Sequence, residues 1–265
     1  MRTIALLLAL TVLPVRADEI SPEALTSLPP ADIVFLGEVH DNPLHHAHQA
    51  QAIKAIGPRA LVFEMLTTAQ AERIAYPLPD EAALGELLEW DASGWPDFAL
   101  YFPLFAAAPE ATIFGAALPR DKARAAMGQP LDKVFKGDAA LFGLNLSLDP
   151  EEQAAREVLQ DDAHCNALPA DLLPAFVAIQ RLRDAMLAQA ALQAHHATGG
   201  PVVVITGTGH TRTDWGAPAK LARAAPGLRL LSVGQFEAPF EGPAPNDLWL
   251  VTEAHPRPDP CDAFR

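Results

Sequence analysis

Cysteine is nearly absent from this chain of 265 residues, which has only Cys165 and Cys261. That allows one disulfide at most. In an oxidising compartment such a bond would tie the proline-rich stretch at 256–260 back onto the body, the alternative being two unpaired thiols. Neither cysteine follows the apolar N-terminal segment, so no lipid attachment point is present there. Positive charge is also scarce: 19 Lys and Arg face 33 Asp and Glu, a formal net charge of −14. Such an excess of acid argues against nucleic acid or an anionic membrane surface as partner. Long apolar runs are missing too. The stretch at 4–13 is too short to span a bilayer, so no retained transmembrane helix is expected. No repeat of solenoid length and no low-complexity tract is found.

What is present is a positively charged start at Arg2, an apolar segment, and the small-residue site Val15-Arg16-Ala17. These read as a signal peptide over residues 1–17. The expected protein is exported and soluble, most simply periplasmic, and loss of Arg2 and Arg16 takes its charge from −14 to −16. Half of the residues are hydrophobic, enough for one sizeable α/β domain over 18–253, followed by a Pro-rich tail over 254–265.

Residues 31–48 organise the rest. Ile33-Val34-Phe35-Leu36 is the continuous apolar run of a strand buried on both faces, and it stops at Gly37-Glu38-Val39-His40. Glu38 and His40 are two apart and project to one side if the extended backbone persists. Asp41 or Asn42 can cap a helix with Pro43 at its first position, and Gly57-Pro58 ends it. Strand, polar turn and helix open an α/β sheet, where ligands sit at the strands' carboxyl ends.

Further strands are expected at 60–63, 112–116, 201–206, 228–233 and 248–252, giving a mainly parallel central sheet of about five or six strands flanked by helices. Helical spacing covers 81–90, 95–108, 149–164 and 170–196. The aromatic segment at 95–105 reads first as core and second as a wall for a flat apolar ligand. Arg181, Arg183 and Asp184 interrupt the apolar stripe of the long helix, and a helix packed beside the site can present one of them inward. Glu64 ends the second strand, Arg120 follows the third, and the strongest strand runs into Gly207-Thr208-Gly209-His210 and Arg212.

Gly-x-x-His therefore occurs twice, each time after a strand-like run. If both strands are central and parallel, His40 and His210 share one rim of the sheet, where Glu38, Glu64, Arg120 and Arg212 can join them. His40, His210 and Glu64 form a candidate ligand set for a divalent transition metal. Without metal, Glu38 or Glu64 would take a proton from water while a His or Arg steadies the developing charge. The bland alternative is that each His caps a strand end on a neighbouring carboxylate.

At these residues the sequence resembles the ChaN-like haem-binding uptake family of the Tiki superfamily. The match runs through Leu36-Gly37-Glu38-Val39-His40-Asp41-Asn42, Phe63-Glu64-Met65, Leu118-Pro119-Arg120, Gln180-Arg181-Leu182-Arg183-Asp184-Ala185-Met186 and Thr206-Gly207-Thr208-Gly209-His210. The resemblance implies an α/β fold, an exported protein of haem or iron acquisition, and a shared site at the two Gly-x-x-His motifs and Glu64. Other superfamily branches are metal-dependent proteases or hydrolases, which makes such an enzyme the alternative. Many family members are lipoproteins, and this chain departs from them in lacking the anchoring Cys. Haem needs an apolar slot and an axial ligand. The candidates are Tyr76, His45, His46, His48, His164 and Tyr101, with Tyr101 preferred for its aromatic surroundings and Arg120 as a further cofactor contact. The cluster His45-His46-Ala47-His48 reads as a solvated helix face. A haem-sharing dimer is conceivable because a flat ligand can sit across a symmetric interface.

Overall fold

The structure, a computed structural model, describes residues 17–239 and 245–264. Of the expected signal segment only Ala17 is among them. Seven strands, β1 (Asp18–Glu19), β2 (Ile33–Glu38), β3 (Ala60–Phe63), β4 (Thr112–Gly115), β5 (Val202–Gly207), β6 (Leu230–Phe236) and β7 (Leu248–Val251), form one sheet in the order β1-β7-β6-β2-β5-β3-β4. Every pairing is parallel. The α/β class is as expected, with one strand more than the sequence suggested. The addition is β1, two exposed acidic residues paired with Leu248 and Trp249, which carry no hydrophobic signal.

The helices are α1 (Pro43–Ile56), α2 (Thr68–Ala71), α3 (Glu81–Leu87), α4 (Phe98–Ala107), α5 (Arg120–Ala126), α6 (Leu131–Val134), α7 (Pro150–Ala163), α8 (Leu173–Thr198) and α9 (Ala217–Ala224). Asn42 caps α1 by accepting from the Leu44 N–H, and Gly57 ends it at φ 59°, a left-handed conformation that glycine adopts without a Cβ penalty. The helix expected from residue 95 begins only at Phe98, because Pro96 and the capping side chain of Asp97 hold the chain out of it.

Side-chain parity sorts the core into two layers. Val34 and Leu36 of β2, with Leu61, Phe63, Val203 and Ile205, pack against α1, α3 and α4. Ile33 and Phe35, with Ala60, Val62, Val202 and Val204, pack against α8 and α9. The aromatic segment belongs to the first layer: Phe63 and Phe105 stack at 4.3 Å, and Tyr101 and Phe105 have no exposed surface. The same parity, carried to the end of β2 and one step past β3, decides where the polar residues point. Glu38 continues the Val34 and Leu36 set towards α4, whereas Glu64 continues Ala60 and Val62 towards α8.

Cys165 and Cys261 form the disulfide, with Cα atoms 5.4 Å apart. The tail packs on the body beside the start of α1. Arg257 donates to Asp41 and Glu237, and Asn42 donates to the Glu253 carbonyl. Among the described residues no helix is long and apolar enough to cross a membrane.

Candidate functional site

β2 and β5 are neighbours in register, with Glu38 opposite Gly207, so the two Gly-x-x-His turns lie side by side at the strands' carboxyl ends. Each glycine makes room for the other turn. A Cβ on Gly37 would lie 2.6 Å from Thr208 Oγ1 and 3.0 Å from its Cα, and one on Gly207 would lie 3.0 Å from His40 Nε2. Only a residue without a side chain lets the turns approach this closely.

Each histidine is then oriented by a carboxylate. His40 Nδ1 lies 2.8 Å from Glu38 Oε1, and His210 Nδ1 lies 2.7 Å from Asp184 Oδ1 on α8. An Nδ1–H donated to a carboxylate leaves the Nε2 lone pair of the neutral ring free. Glu38 is buried, and Tyr101 Oη donates to the same Oε1 at 2.9 Å. Its Oε2 faces His46 Nδ1 at 3.5 Å, while His46 Nε2 donates to the His40 carbonyl. Glu64 Oε2 accepts from Thr206 Oγ1 at 2.6 Å and from the Gly207 N–H at 2.9 Å. Its Oε1 faces His210 Nε2 at 3.6 Å and Arg183 at 3.9 Å.

These contacts set the charges. Burial alone would raise the Glu64 pKa, but the nearby His210 and His40 and the Thr206 and Gly207 donors hold it down at about 2. Burial pulls against a charged His210, yet Glu64 and Asp184 outweigh it and the net shift is upward. His40 rises for the same reason, with burial opposed by the Glu38 bond and the Glu64 charge. An anion this strongly held is a poor proton acceptor, so Glu64 does not suit the general-base role expected of it. Glu38 has one oxygen taken by two donors and is sealed from solvent, which leaves it orienting His40. At the strand ends, the groups facing the cleft with basic lone pairs are the imidazoles of His40 and His210.

The site forms one wall of a cleft of about 550 Å³. Leu159, Ala163 and His164 of the α7 side and Val177 of α8 also line it, together with Arg183, Arg212 and Trp215. The expected set Glu38, His40, Glu64 and His210 is thus assembled. Arg212 reaches the cleft too, but it is bonded to Asp214 and lies 4.0 Å from the centre of the Trp215 ring. Arg120 lines a neighbouring cleft of about 380 Å³ that shares Glu64 and Arg183 with the first.

Several expectations are corrected. Tyr101 is not placed to ligate haem: it has no exposed surface, its hydroxyl is spent on Glu38, and burial with the Glu38 charge pushes its pKa up, away from a phenolate. Tyr76 donates to the Ala111 carbonyl and does not line the cleft. The histidine cluster is not a solvated face. His45 and His46 are buried, with His45 accepting from the Val39 N–H and bonding Thr252, and burial pushes its pKa down to about 4. His48 bonds Gln235. The three-ligand metal set is not formed: among the described residues no group of three or more His, Cys, Asp or Glu is placed to hold a metal ion.

The residue missing from the expected set is Asp184. Its signal was in the stripe of α8, where Val177, Arg181, Asp184, Ala188 and Ala191 are all buried at helical spacing. A carboxylate at a position the stripe requires to be inside needs a partner, and His210 is that partner.

A parallel α/β sheet with two carboxylate-oriented imidazoles at adjacent strand ends defines the class of site. The family described as haem-binding uptake, Tiki superfamily, ChaN, matches residues 24–221, and the chain belongs to it. It is similar in fold to the structure titled "Cofacial heme binding to ChaN of Campylobacter jejuni", at 20% identity over 85% of this chain and 88% of that one, with a TM-score of 0.62. Weaker likenesses, too low to carry argument, are to the type III effector HopBA1 (15% identity, 88% and 92% covered, TM-score 0.43) and to a mutant of the erythromycin esterase EreC in its open conformation (12%, 78% and 70%, 0.40). No curated protein matches the sequence.

Proposed function

We propose that this protein binds haem in the cleft of about 550 Å³, as an exported carrier of haem or iron uptake with His164 as its axial ligand. The observation that carries the reading is the state of His164 at the end of α7. Its Nδ1–H donates to the Gln160 carbonyl at 2.7 Å and its ring meets Phe176 edge-on. That arrangement orients the ring and leaves Nε2 as the lone pair beside the apolar surface of Leu159, Ala163 and Val177. Arg183 and Arg212 in the lining supply positive charge for the propionates. Export is supported by the disulfide, and periplasmic placement and the signal peptide are part of the same reading.

The named relative binds haem cofacially. Sharing of haem between two copies of this chain is supported by Val158 and Leu159, which are 59% and 42% exposed on α7, with Leu159 at the cleft. Haem titration followed by absorption and by light scattering tests the reading. Wild type gives a saturable Soret shift and an increase in mass, and His164→Ala loses the ligated spectrum and binds roughly tenfold more weakly or worse. An unchanged spectrum in that variant removes His164 as ligand.

A second reading, hydrolysis, is favoured by one observation: His210 is set between Asp184 and Glu64 inside the cleft. His210 would relay the proton of an attacking water, and Asp184 would hold its tautomer. His210→Ala is then expected to lower turnover of a suitable ester or peptide by roughly 10²–10⁴-fold while leaving the haem spectrum intact. Full activity in that variant sinks the enzyme reading.

A further inference from the structure

Beside the cleft, and sharing Arg156 and Trp215 with it, lies a second hollow of about 220 Å³ lined by the loop residues Gly143, Leu146, Ser147 and Leu148 and by residues of α7, α8 and α9. It is lined by four cations, Arg156, Arg181, Lys220 and Arg223. In a chain of net charge −14, such a gathering needs a reason. The carboxylates in the lining are already engaged, Glu152 with Arg156 and Asp214 with Arg212. Asp184, the further acid acting on Lys220, is bonded to His210. Arg181, Lys220 and Arg223 therefore have no ion-pair partner among the described residues.

Arg181 is held in a fixed pose. It is buried, its Nη2 donates to the carbonyls of Gly143 and Leu146, and its Nε–H is buried without an acceptor. Burial, then the charges of Arg181 and Arg156, push the Lys220 pKa down to about 8. Like charges brought together out of water raise the energy of the site unless a counter-charge joins them.

We propose that this hollow binds the oxyanion group of a small molecule, a carboxylate or a phosphate, on Lys220, Arg223 and Arg181. Planar guanidinium forks and an ammonium are the donors that recognise such groups, and its volume suits one anionic group rather than a porphyrin. The hollow does not depend on haem, although Arg156 and Trp215 line both spaces.

The test uses the intact protein and its five lysines. Amine acylation is followed by peptide mass spectrometry at pH 8, with inorganic phosphate or malonate as probe and chloride at matched ionic strength as control. The expected result is saturable protection of Lys220 alone, with the half-protecting concentration raised on the order of tenfold in Arg223→Gln. Stronger protection by phosphate assigns a phosphate-bearing ligand, and stronger protection by malonate assigns a carboxylate. No protection of Lys220, or equal protection of all lysines with chloride as effective, overturns the proposal. Because acylation is read on wild type, a variant that fails to fold does not shield it.

Discussion

Glu64→Gln lowers the titration midpoints of both His40 and His210 and destabilises the fold by roughly 2–3 kcal/mol, with the largest difference between about pH 4.5 and 6.5. Glu64 is the one carboxylate that both imidazoles feel across the cleft. Its folded pKa is depressed to about 2 from the usual 4.5. A depressed acid contributes stability that is present above the unfolded value and lost as pH falls through the folded one. The gap between wild type and variant should therefore close from about pH 4.5 towards pH 2. The two histidines carry the opposite sign. Their folded pKa values are raised, so their contribution is complete below the usual 6.5 and is lost as pH rises through the raised values. The amide introduced by the substitution keeps an oxygen for Thr206 and Gly207, so those bonds largely survive and the lost charge dominates the difference. Urea denaturation at pH 5.5 and 2.5, with proton NMR of the imidazole Cε1–H signals, checks this. A gap of equal size at both pH values, or imidazole midpoints that do not move, would show that Glu64 is not their counter-charge.

How far this site can be read from sequence depends on whether a residue's role is local. The pair Glu38 and His40 was legible because both sit at the end of one strand, and a spacing of two settles their relative side. The glycines were legible as close-approach positions, although only the register of β2 on β5 reveals that Gly37 makes room for Thr208 and Gly207 for His40. Asp184 is 26 residues from His210; the stripe of α8 marks it as inward, but no local pattern says which residue it meets there. Tyr101 was misjudged for a related reason. Aromatic surroundings identify a ring in an apolar place, but not whether that place faces a cleft or the core, and the α4 contact with Glu38 decided it. The histidines of α1 look polar as letters. They are inside because Val39, Thr252 and the His40 carbonyl offer each ring a partner at a helix–strand junction. Strand positions came through well because buried parallel strands announce themselves as continuous apolar runs. β1 gave no such signal, since edge pairing uses backbone alone.

Reduction of the Cys165–Cys261 bond is expected to cost about 4–5 kcal/mol in the chain-entropy account, because the bond closes a loop with a sequence separation of 96 in the unfolded chain. For a domain of this size that is a fall in Tm on the order of 10 °C. The effect should lie in the unfolded state. In the folded protein the tail stays docked without the bond, since Arg257 remains paired with Asp41 and Glu237, and Asn42 and the His255 N–H remain bonded to Glu237. Reduced and oxidised protein should therefore share one circular dichroism spectrum at 25 °C, while the reduced form has a lower urea midpoint and a steeper dependence on urea as its unfolded chain expands. Equal midpoints, or free thiols titrated in the unreduced protein, would defeat the expectation. A third outcome bears on the cleft: His164 directly precedes Cys165, at the end of α7 that the bond anchors. If haem affinity falls on reduction while the circular dichroism is unchanged, the disulfide also positions His164, the proposed ligand, and if it does not, the hydrogen bond from His164 to Gln160 is sufficient to hold the ring.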